Sequence, residues 1–204
     1  TSWLREQDGP GLGPWMLLAA ARLQAVHGRD GDVVLGMPLM GRFGKLEREC
    51  PSMASNVGHL RLDLSPQNGI EALAEEIKRQ LRIALRHQKY PIEALQRELG
   101  PDMASGLYAL SVNLMSFAYD LRFAGHETRT HNLSNGPVDG LALNVYDQSD
   151  SSELRLDLDG NAELYSEDEL AAYLHQLTLC LEALAASIPA TPVALLELTD
   201  PEER

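Results

Sequence analysis

The chain has 204 residues, of which 44% are hydrophobic and 23% are charged, a composition typical of a folded globular domain rather than a disordered chain. Its formal net charge of −13 at pH 7 argues against binding to nucleic acid or to an anionic membrane surface, because both need clustered Lys and Arg. The two cysteines, Cys50 and Cys180, are far apart in the sequence and match no ligand motif, so we expect neither a metal site nor a disulfide. We expect two reduced thiols in a cytoplasmic protein, with Cys180 buried on a helix.

The start of the chain, at Thr1 and without a methionine, suggests that it is a piece of a longer polypeptide. It begins at Thr1 without a charged-then-apolar leader, so no signal peptide is visible. No apolar run approaches the roughly 20 residues that a membrane-spanning helix needs.

The first quarter of the sequence predicts a buried helix and a buried strand. Residues 14–27 are rich in Ala and Leu and apolar nearly all round, which indicates a buried helix that ends at Gly28. A β-branched run opens at Asp32 and predicts a strand that ends at Gly36. Residues 38–53 are punctuated by Pro and Gly and are expected to form a loop.

A strand and two helices are predicted next. Leucine alternates with polar residues over 60–64, which indicates a half-buried strand. Apolar residues then recur at helical spacing over 70–85, on one face of a helix. A shorter helix follows Pro91 and ends at Gly100.

The second half predicts four strands and a last helix. Residues 108–117 indicate a strand and residues 121–133 a weaker one. Alternation over 141–145 and 154–158, on either side of a polar turn, predicts an antiparallel hairpin. Ser166, with Glu169 three residues later, is a capping box that opens the last helix.

The order of these elements predicts an α+β fold in which helices pack on a mixed, largely antiparallel sheet. An alternating βαβ arrangement is not indicated. Residues 1–188 are expected to form the folded unit, and residues 189–204, which show little periodicity, are expected to be a linker.

Several short stretches, in this order, resemble motifs of one family, the condensation domains of nonribosomal peptide synthetases. Residues 33–42 resemble the strand and Gly-Arg turn that begin the family's floor loop. Residues 56–62 resemble the strand V-N-x-L-P-L-R, although His59 replaces a usual small or apolar residue and the proline is missing. Residues 86–93 resemble the junction H-Q-D-x-P-F-E, with Lys89 in place of the aspartate.

The remaining stretches fit the same family. Residues 110–114 and 136–139 resemble its next strand and turn, and residues 195–204 are similar to the linker that leads to an adenylation domain. The nearest likeness is to domains that accept an aryl acid starter, as in catechol siderophore synthetases. The resemblance implies the C-terminal lobe of a chloramphenicol-acetyltransferase-like fold, facing an N-terminal lobe across a channel.

The resemblance also implies a reaction, the formation of an amide between a donor acyl thioester and an acceptor aminoacyl thioester. Both substrates are held on the phosphopantetheine arms of carrier domains, so no cofactor is expected to bind directly. The implied partners are the N-terminal lobe, donor and acceptor carrier domains and an adjacent adenylation domain.

The catalytic motif of the family, H-H-x-x-x-D-G, belongs to the N-terminal lobe, and none of the six histidines of this chain adjoins another. We therefore expect no catalytic residue here and no activity from the chain alone. Residues 134–140 have the spacing of that motif, with Ser134 and Asn135 in place of the histidines, but the alternation that follows predicts a strand where the family has a helix. The alternative function is a non-catalytic docking platform for carrier domains or tailoring enzymes.

By resemblance, one set of residues is expected to line the channel: Arg42, Asn56, His59, Asn113, Gly136, Pro137 and Asp139. Arg42 either anchors the floor loop or meets the pantetheine path, or it is a surface turn residue. Asn56 and Asn113 lie in apolar strands and need hydrogen-bond partners, so they either fix the strands or line the channel. His59 lies on the polar side of its strand, facing the channel or solvent. His126 and His131 lie on opposite faces of a strand and are expected to be exposed polar residues rather than metal ligands.

Overall fold

The computed structural model describes residues 11–42, 44–100, 107–115, 122–128, 136–147, 154–196 and 198. The helices are α1 (Leu12–Gly28), α2 (Lys45–Glu49), α3 (Ile70–His87), α4 (Ile92–Leu99) and α5 (Glu167–Ala186), with a 3-10 turn at Val193–Leu195. The strands are β1 (Asp32–Leu39), β2 (Asn56–Asp63), β3 (Leu110–Met115), β4 (Arg122–Phe123), β5 (His126–Glu127), β6 (Leu141–Asp147) and β7 (Leu154–Gly160).

Five strands form one mixed sheet in the order β2-β1-β3-β6-β7. The outer pairs, β1 with β2 and β6 with β7, are antiparallel, whereas β3 pairs in parallel with both β1 and β6. β4 and β5 form a separate two-stranded ribbon. The predicted α+β class, the mixed sheet and the hairpin of β6 and β7 are confirmed.

The core lies between one face of this sheet and the three long helices. α1 contacts α3, α5, β1 and β3, so it is enclosed on nearly every side, as its apolar sequence predicted. Residues 16–21 of α1 have no exposed surface. Three successive alanines in that stretch let the neighbouring helices approach closely, while Leu35, Leu60 and Val112 of the sheet pack against the same core.

β1 continues three residues beyond Gly36, where the sequence predicted its end. The strand continues because residues 37–39 pair with residues 56–58 of β2. Position 36 requires glycine because the ring of Tyr108 occupies its side-chain space, and a Cβ there would lie 2.5 Å from the ring. Pro38 is compatible with the strand because β3 pairs with β1 only at Leu35 and Gly36, so no neighbour on that side requires its N–H.

The predicted loop over residues 38–53 contains the five-residue helix α2, which the sequence analysis missed. Glu47 accepts a hydrogen bond of 2.9 Å from the N–H of Gly44 and so closes the first turn. A helix this short has too few residues to show a helical period. The single weak strand predicted over 121–133 is wrong for the described residues, which form β4 and β5 joined by a turn at Ala124 and Gly125, both with positive φ. The rest of that range, with His131, lies outside the described residues.

The tail predicted as a linker begins as part of the folded body. Thr191 and Pro189 accept hydrogen bonds of 3.0 Å from the N–H groups of Ile70 and Glu71, which caps the first turn of α3. Val193, Leu196 and Leu198 are buried in the core. The boundary at residue 189 therefore divides residues that pack together, while the role of the later residues as a linker stays a prediction.

The last helix begins as predicted. Ser166 accepts a hydrogen bond of 3.3 Å from the N–H of Glu169, and Glu169 accepts one of 2.9 Å from the N–H of Ser166. The bond from the Ser166 N–H to the carboxylate, together with a bond of 2.7 Å from the Ser166 hydroxyl, lowers the pKa of Glu169. Within the described ranges, no helix is long and apolar enough to cross a membrane.

Candidate functional site

Polar side chains line the sheet face opposite the three long helices. Along β3, Leu110 and Val112 face the core, so Ser111 and Asn113 project to the other side. The register of the sheet places polar residues of the next two strands on that same side. We call this surface the polar face and define it by Ser111, Asn113, Asn144, Asp157 and Asp159.

A groove of about 650 Å³ runs over the polar face. Ser111, Asn113 and Asn144 form part of its floor. One side is formed by Ile92 and Gln96 of α4, and the other by residues 137–140 and Tyr165. We call it the sheet groove.

A chain of amide hydrogen bonds crosses the floor of the sheet groove. Asn113 Nδ2 donates to Asn144 Oδ1 at 3.2 Å, and Asn144 Nδ2 donates to Asp159 Oδ2 at 2.9 Å. An ionised carboxylate only accepts, so Asp159 sets the direction of both bonds. Asn113 Oδ1 accepts no hydrogen bond from the described residues and is an acceptor beside the groove.

The ring of Tyr108 connects the sheet groove to His59. Its centroid lies 5.4 Å from that of the His59 imidazole, and both residues are half-buried. Burial lowers the pKa of His59, and burial together with the charge of Asp139 raises the pKa of Tyr108. His59 therefore lies on the polar side of its strand, as predicted, but partly covered rather than open to solvent.

Arg42 ties together the loop after β1. Its guanidinium donates to the carbonyl oxygens of Glu47, Cys50 and Ser52, the bond to Cys50 being 2.8 Å long. These contacts are those expected of a residue that anchors the loop. Arg42 is not among the residues that line the sheet groove.

Asn56 joins β2 to the turn between α3 and α4. Its Nδ2 donates to the carbonyls of Gln88 and Tyr90 at 2.9 and 2.5 Å, and its Oδ1 accepts from the N–H of Ile92 at 3.2 Å. The amide is fully used by backbone groups, which is the structural alternative that the sequence left open for Asn56.

Gln88 brings a third segment to the same junction. It is buried, and its Oε1 accepts from the N–H of Gly41 at 3.2 Å. Gly41 has φ +64°, and a Cβ on it would lie 1.9 Å from the carbonyl oxygen of Ala54. Three motifs that are distant in sequence, at residues 41, 56 and 88, therefore meet in one hydrogen-bonded cluster.

The structure divides the predicted channel residues into two groups. Asn113, Pro137 and Asp139 line the sheet groove, with Gly136 next to them in the chain. Arg42 and Asn56 instead hold backbone segments beyond the end of β1, and His59 lies behind Tyr108.

Tyr108, Asn144 and Asp159 also belong to this region, although the sequence did not predict them as site residues. For Asn144 and Asp159 a signal was present, because each alternates with leucines and so shares the polar side of its strand.

Residues 134–140, which have the spacing of the catalytic motif, are described only from Gly136 onward, since Ser134 and Asn135 lie outside the described residues. The second half of this stretch leads into β6, where Leu141 N–H donates to Ala109 at 2.9 Å, so a strand follows, as predicted. His126 is exposed. Among the described residues no cluster of His, Cys, Asp and Glu is arranged to hold a metal ion.

Comparison with known proteins decides the family. The condensation domain model matches residues 16–204. The chain belongs to the condensation domain family. Two similar relatives are a dimodular nonribosomal peptide synthase of Bacillus subtilis, 39% identical over 94% of the chain, and an isonitrile lipopeptide synthase of Streptomyces coeruleorubidus, 40% identical over 90% of it.

Solved condensation domains share the fold. The starter condensation domain of rhizomide synthetase superposes with a TM-score of 0.86 and 36% sequence identity over 95% of this chain. This chain covers 44% of that domain, and 8% and 12% of the two relatives. The match confirms the fold of a condensation domain lobe that the motifs implied.

Proposed function

We propose that this chain is the C-terminal lobe of a condensation domain and supplies one wall of the channel in which an amide forms between two thioesters. The observation that carries the proposal is the sheet groove. Its floor is polar and its amides are ordered by Asp159, whereas the opposite face of the same sheet is a closed apolar core. A polar face of this kind suits a wet channel between two lobes.

Asn113 is the residue of this wall that we assign to the substrates. Its free Oδ1 can accept a hydrogen bond from the attacking amine or from an amide N–H of a pantetheine arm. Such a contact orients the amine toward the donor carbonyl, and orientation is one of the larger contributions to catalysis of a bimolecular step. Asp139 and Pro137 border the same space.

No residue of this wall is assigned to proton transfer. The half-buried His59 lies behind Tyr108, and its Nε2 is buried without a partner among the described residues. A general base must come within hydrogen-bond reach of the proton that it removes. We therefore assign the proton-handling histidine to the N-terminal lobe and expect this chain alone to be inactive.

The substrates in this proposal are the phosphopantetheine arms of a donor and an acceptor carrier domain, and no cofactor is bound directly. One solved mutant of the rhizomide synthetase starter condensation domain is in complex with C8-CoA and Leu-SNAC. That pair is consistent with one acyl and one aminoacyl substrate here. Cys50 and Cys180 are both free, which fits the reducing cytoplasm.

Reconstitution tests the proposal. The chain is mixed with the N-terminal lobe of the same polypeptide and with two loaded carrier domains, and amide product is followed by mass spectrometry. We expect product only when both lobes are present, and a loss of about tenfold or more in rate for Asn113→Ala. Glu163→Ala, at an exposed residue, is the matched control.

Robust product from this chain without the N-terminal lobe would overturn the proposal. A stable complex with carrier domains and no product from the joined lobes would instead support the non-catalytic docking platform.

A further inference from the structure

The positive charge of this acidic chain is concentrated around the second half of α3. Residues 78–97 contain six of the 17 Lys and Arg residues but only one of the 30 Asp and Glu residues, Glu93. Three of the six, Lys78, Arg79 and Lys89, form ion pairs with acids outside this range. Arg79, Arg82 and Arg86 recur at helical spacing and form one stripe along α3. Arg82 and Arg86 are exposed and form no ion pair within the described part of the chain.

The neighbouring strand β2 is an edge of the sheet, and one of its outward positions is already occupied. The Gln80 side chain, reaching over from α3, accepts from the N–H of Arg61 at 2.8 Å and donates to the carbonyl of the same residue. Gln80 thus makes the two bonds that a further strand would make at Arg61.

The next outward positions along this edge are free. Because main-chain groups alternate in direction along a strand, the N–H and C=O groups of His59 and Val57 point outward like those of Arg61. No described residue bonds these groups.

A groove of about 370 Å³ lies along this free edge, between β2, α3 and α4. We call it the edge groove. Its walls include the apolar side chains of Leu39, Ile83 and Leu95, and Arg79 and His87 are among its lining residues. Arg82 and Arg86 do not line the groove, but each directly precedes a lining residue along α3. Ile83 is 43% exposed although it is a large apolar side chain.

We propose that the edge groove binds an extended, acidic segment of a partner protein, which adds to β2 as a further strand. Main-chain pairing occurs at Val57 and His59, an apolar side chain of the segment enters between Ile83 and Leu95, and its carboxylates meet Arg82 and Arg86. A second copy of this chain is a poor occupant, because pairing two such edges would bring two basic stripes together. The proposal does not depend on the proposed function.

A fluorescein-labelled ten-residue peptide that alternates Glu with Val and Thr is the probe, and its binding to the 204-residue chain is measured by fluorescence anisotropy. The matched variants are His59→Pro and His59→Ala. Proline removes both the imidazole and the outward donor and is tolerated at an edge, so we expect binding to weaken about fivefold. Alanine removes the imidazole but keeps the N–H, so binding should weaken less than with proline.

A second pair of variants tests the charge. Arg86→Glu should weaken binding about threefold at low ionic strength, whereas Arg29→Glu, the same change of charge after α1, should not. Amide hydrogen exchange gives a readout that does not depend on any variant, since the N–H groups of Val57 and His59 should become protected when the peptide binds.

Equal binding of the same peptide with Lys in place of Glu would overturn the proposal, as would peptide binding that leaves both amides unprotected. Absence of binding, or equal loss in His59→Pro and His59→Ala, would also overturn it. Binding to vesicles of anionic lipid that matches or exceeds peptide binding would assign the basic stripe to a membrane instead.

Discussion

Asn144 donates a hydrogen bond of 2.9 Å to Asp159 on the neighbouring strand, and this bond determines what the sheet groove presents to a ligand. The carboxylate can only accept, so it orients Asn144, which in turn accepts from Asn113. The free oxygen of Asn113 is the end of that chain. One acid on β7 therefore controls the polarity of a residue two strands away.

Removal of this acid should destabilise the fold. Asp159→Ala leaves the buried amide of Asn144, which is 5% exposed, without its acceptor, at a cost of about 1–3 kcal/mol. Urea denaturation measures the change. The matched control is Glu163→Ala, an exposed acid beyond the end of β7. A loss no larger than that of the control would show that Asp159 does not order the amides.

Gly36→Ala should also destabilise the chain, by about 1–3 kcal/mol, because its Cβ would lie 2.5 Å from the ring of Tyr108. Adding Tyr108→Ala to Gly36→Ala removes the clash, so the second change should cost less in that background than in the wild type. Gly28→Ala, with no atom within 4 Å of the new Cβ, is the control in the same thermal melts. Additive effects of the two changes would contradict the contact.

Local patterns predicted most of the helices and strands because the residues of each element repeat along one face. The alternation in β6 and β7 and the spacing in α3 are of this kind. What the sequence missed depends on contacts between distant residues. The extension of β1 past Gly36 depends on pairing with β2, where residues 37–39 lie opposite residues 56–58, and no local pattern within β1 contains that partner strand.

In the candidate site, too, the sequence selected residues but did not predict the distant groups that they contact. Resemblance selected Asn56 and Asn113 together, but the two asparagines have different surroundings. Asn56 meets three backbone groups of the turn between α3 and α4, whereas Asn113 meets one side chain and keeps an acceptor free. Which groups each amide meets is decided by segments that are distant in sequence, the turn between α3 and α4 for Asn56 and the neighbouring strand β6 for Asn113.

The packed start of the tail gives a test with two adjacent leucines. Leu196 is 1% exposed and Leu195 is 66% exposed. Leu196→Ala should cost about 2–5 kcal/mol because it leaves a cavity in the core, and Leu195→Ala should cost much less. Equal denaturation midpoints for the two variants would mean that residues 193–198 do not belong to the folded body.

His59 should make the stability of the chain depend on pH. Burial lowers its folded-state pKa, so the folded chain binds fewer protons than the unfolded chain near and below the unfolded pKa of about 6.5. This contribution to stability is present above that pKa and is lost as the pH falls through the folded pKa. His59→Gln should flatten the change in melting temperature between about pH 7.5 and pH 5. The exposed His87→Gln is the control, and an unchanged profile in His59→Gln would contradict the burial of the imidazole.

A carboxyl group at position 56 should make the stability of the chain depend on pH. In Asn56→Asp, a carboxylate would replace the amide that donates to the carbonyls of Gln88 and Tyr90, so like partial charges would face each other. The folded-state pKa of the new acid is then raised, and stability is greatest below the unfolded pKa of about 3.9 and falls as the pH rises through the folded value. Near neutral pH, Asn56→Asp should therefore be less stable than Asn56→Ala, and the difference should narrow in acid. Urea denaturation of both variants across this range measures it, and a constant difference would mean that the side chain at position 56 does not face those carbonyls.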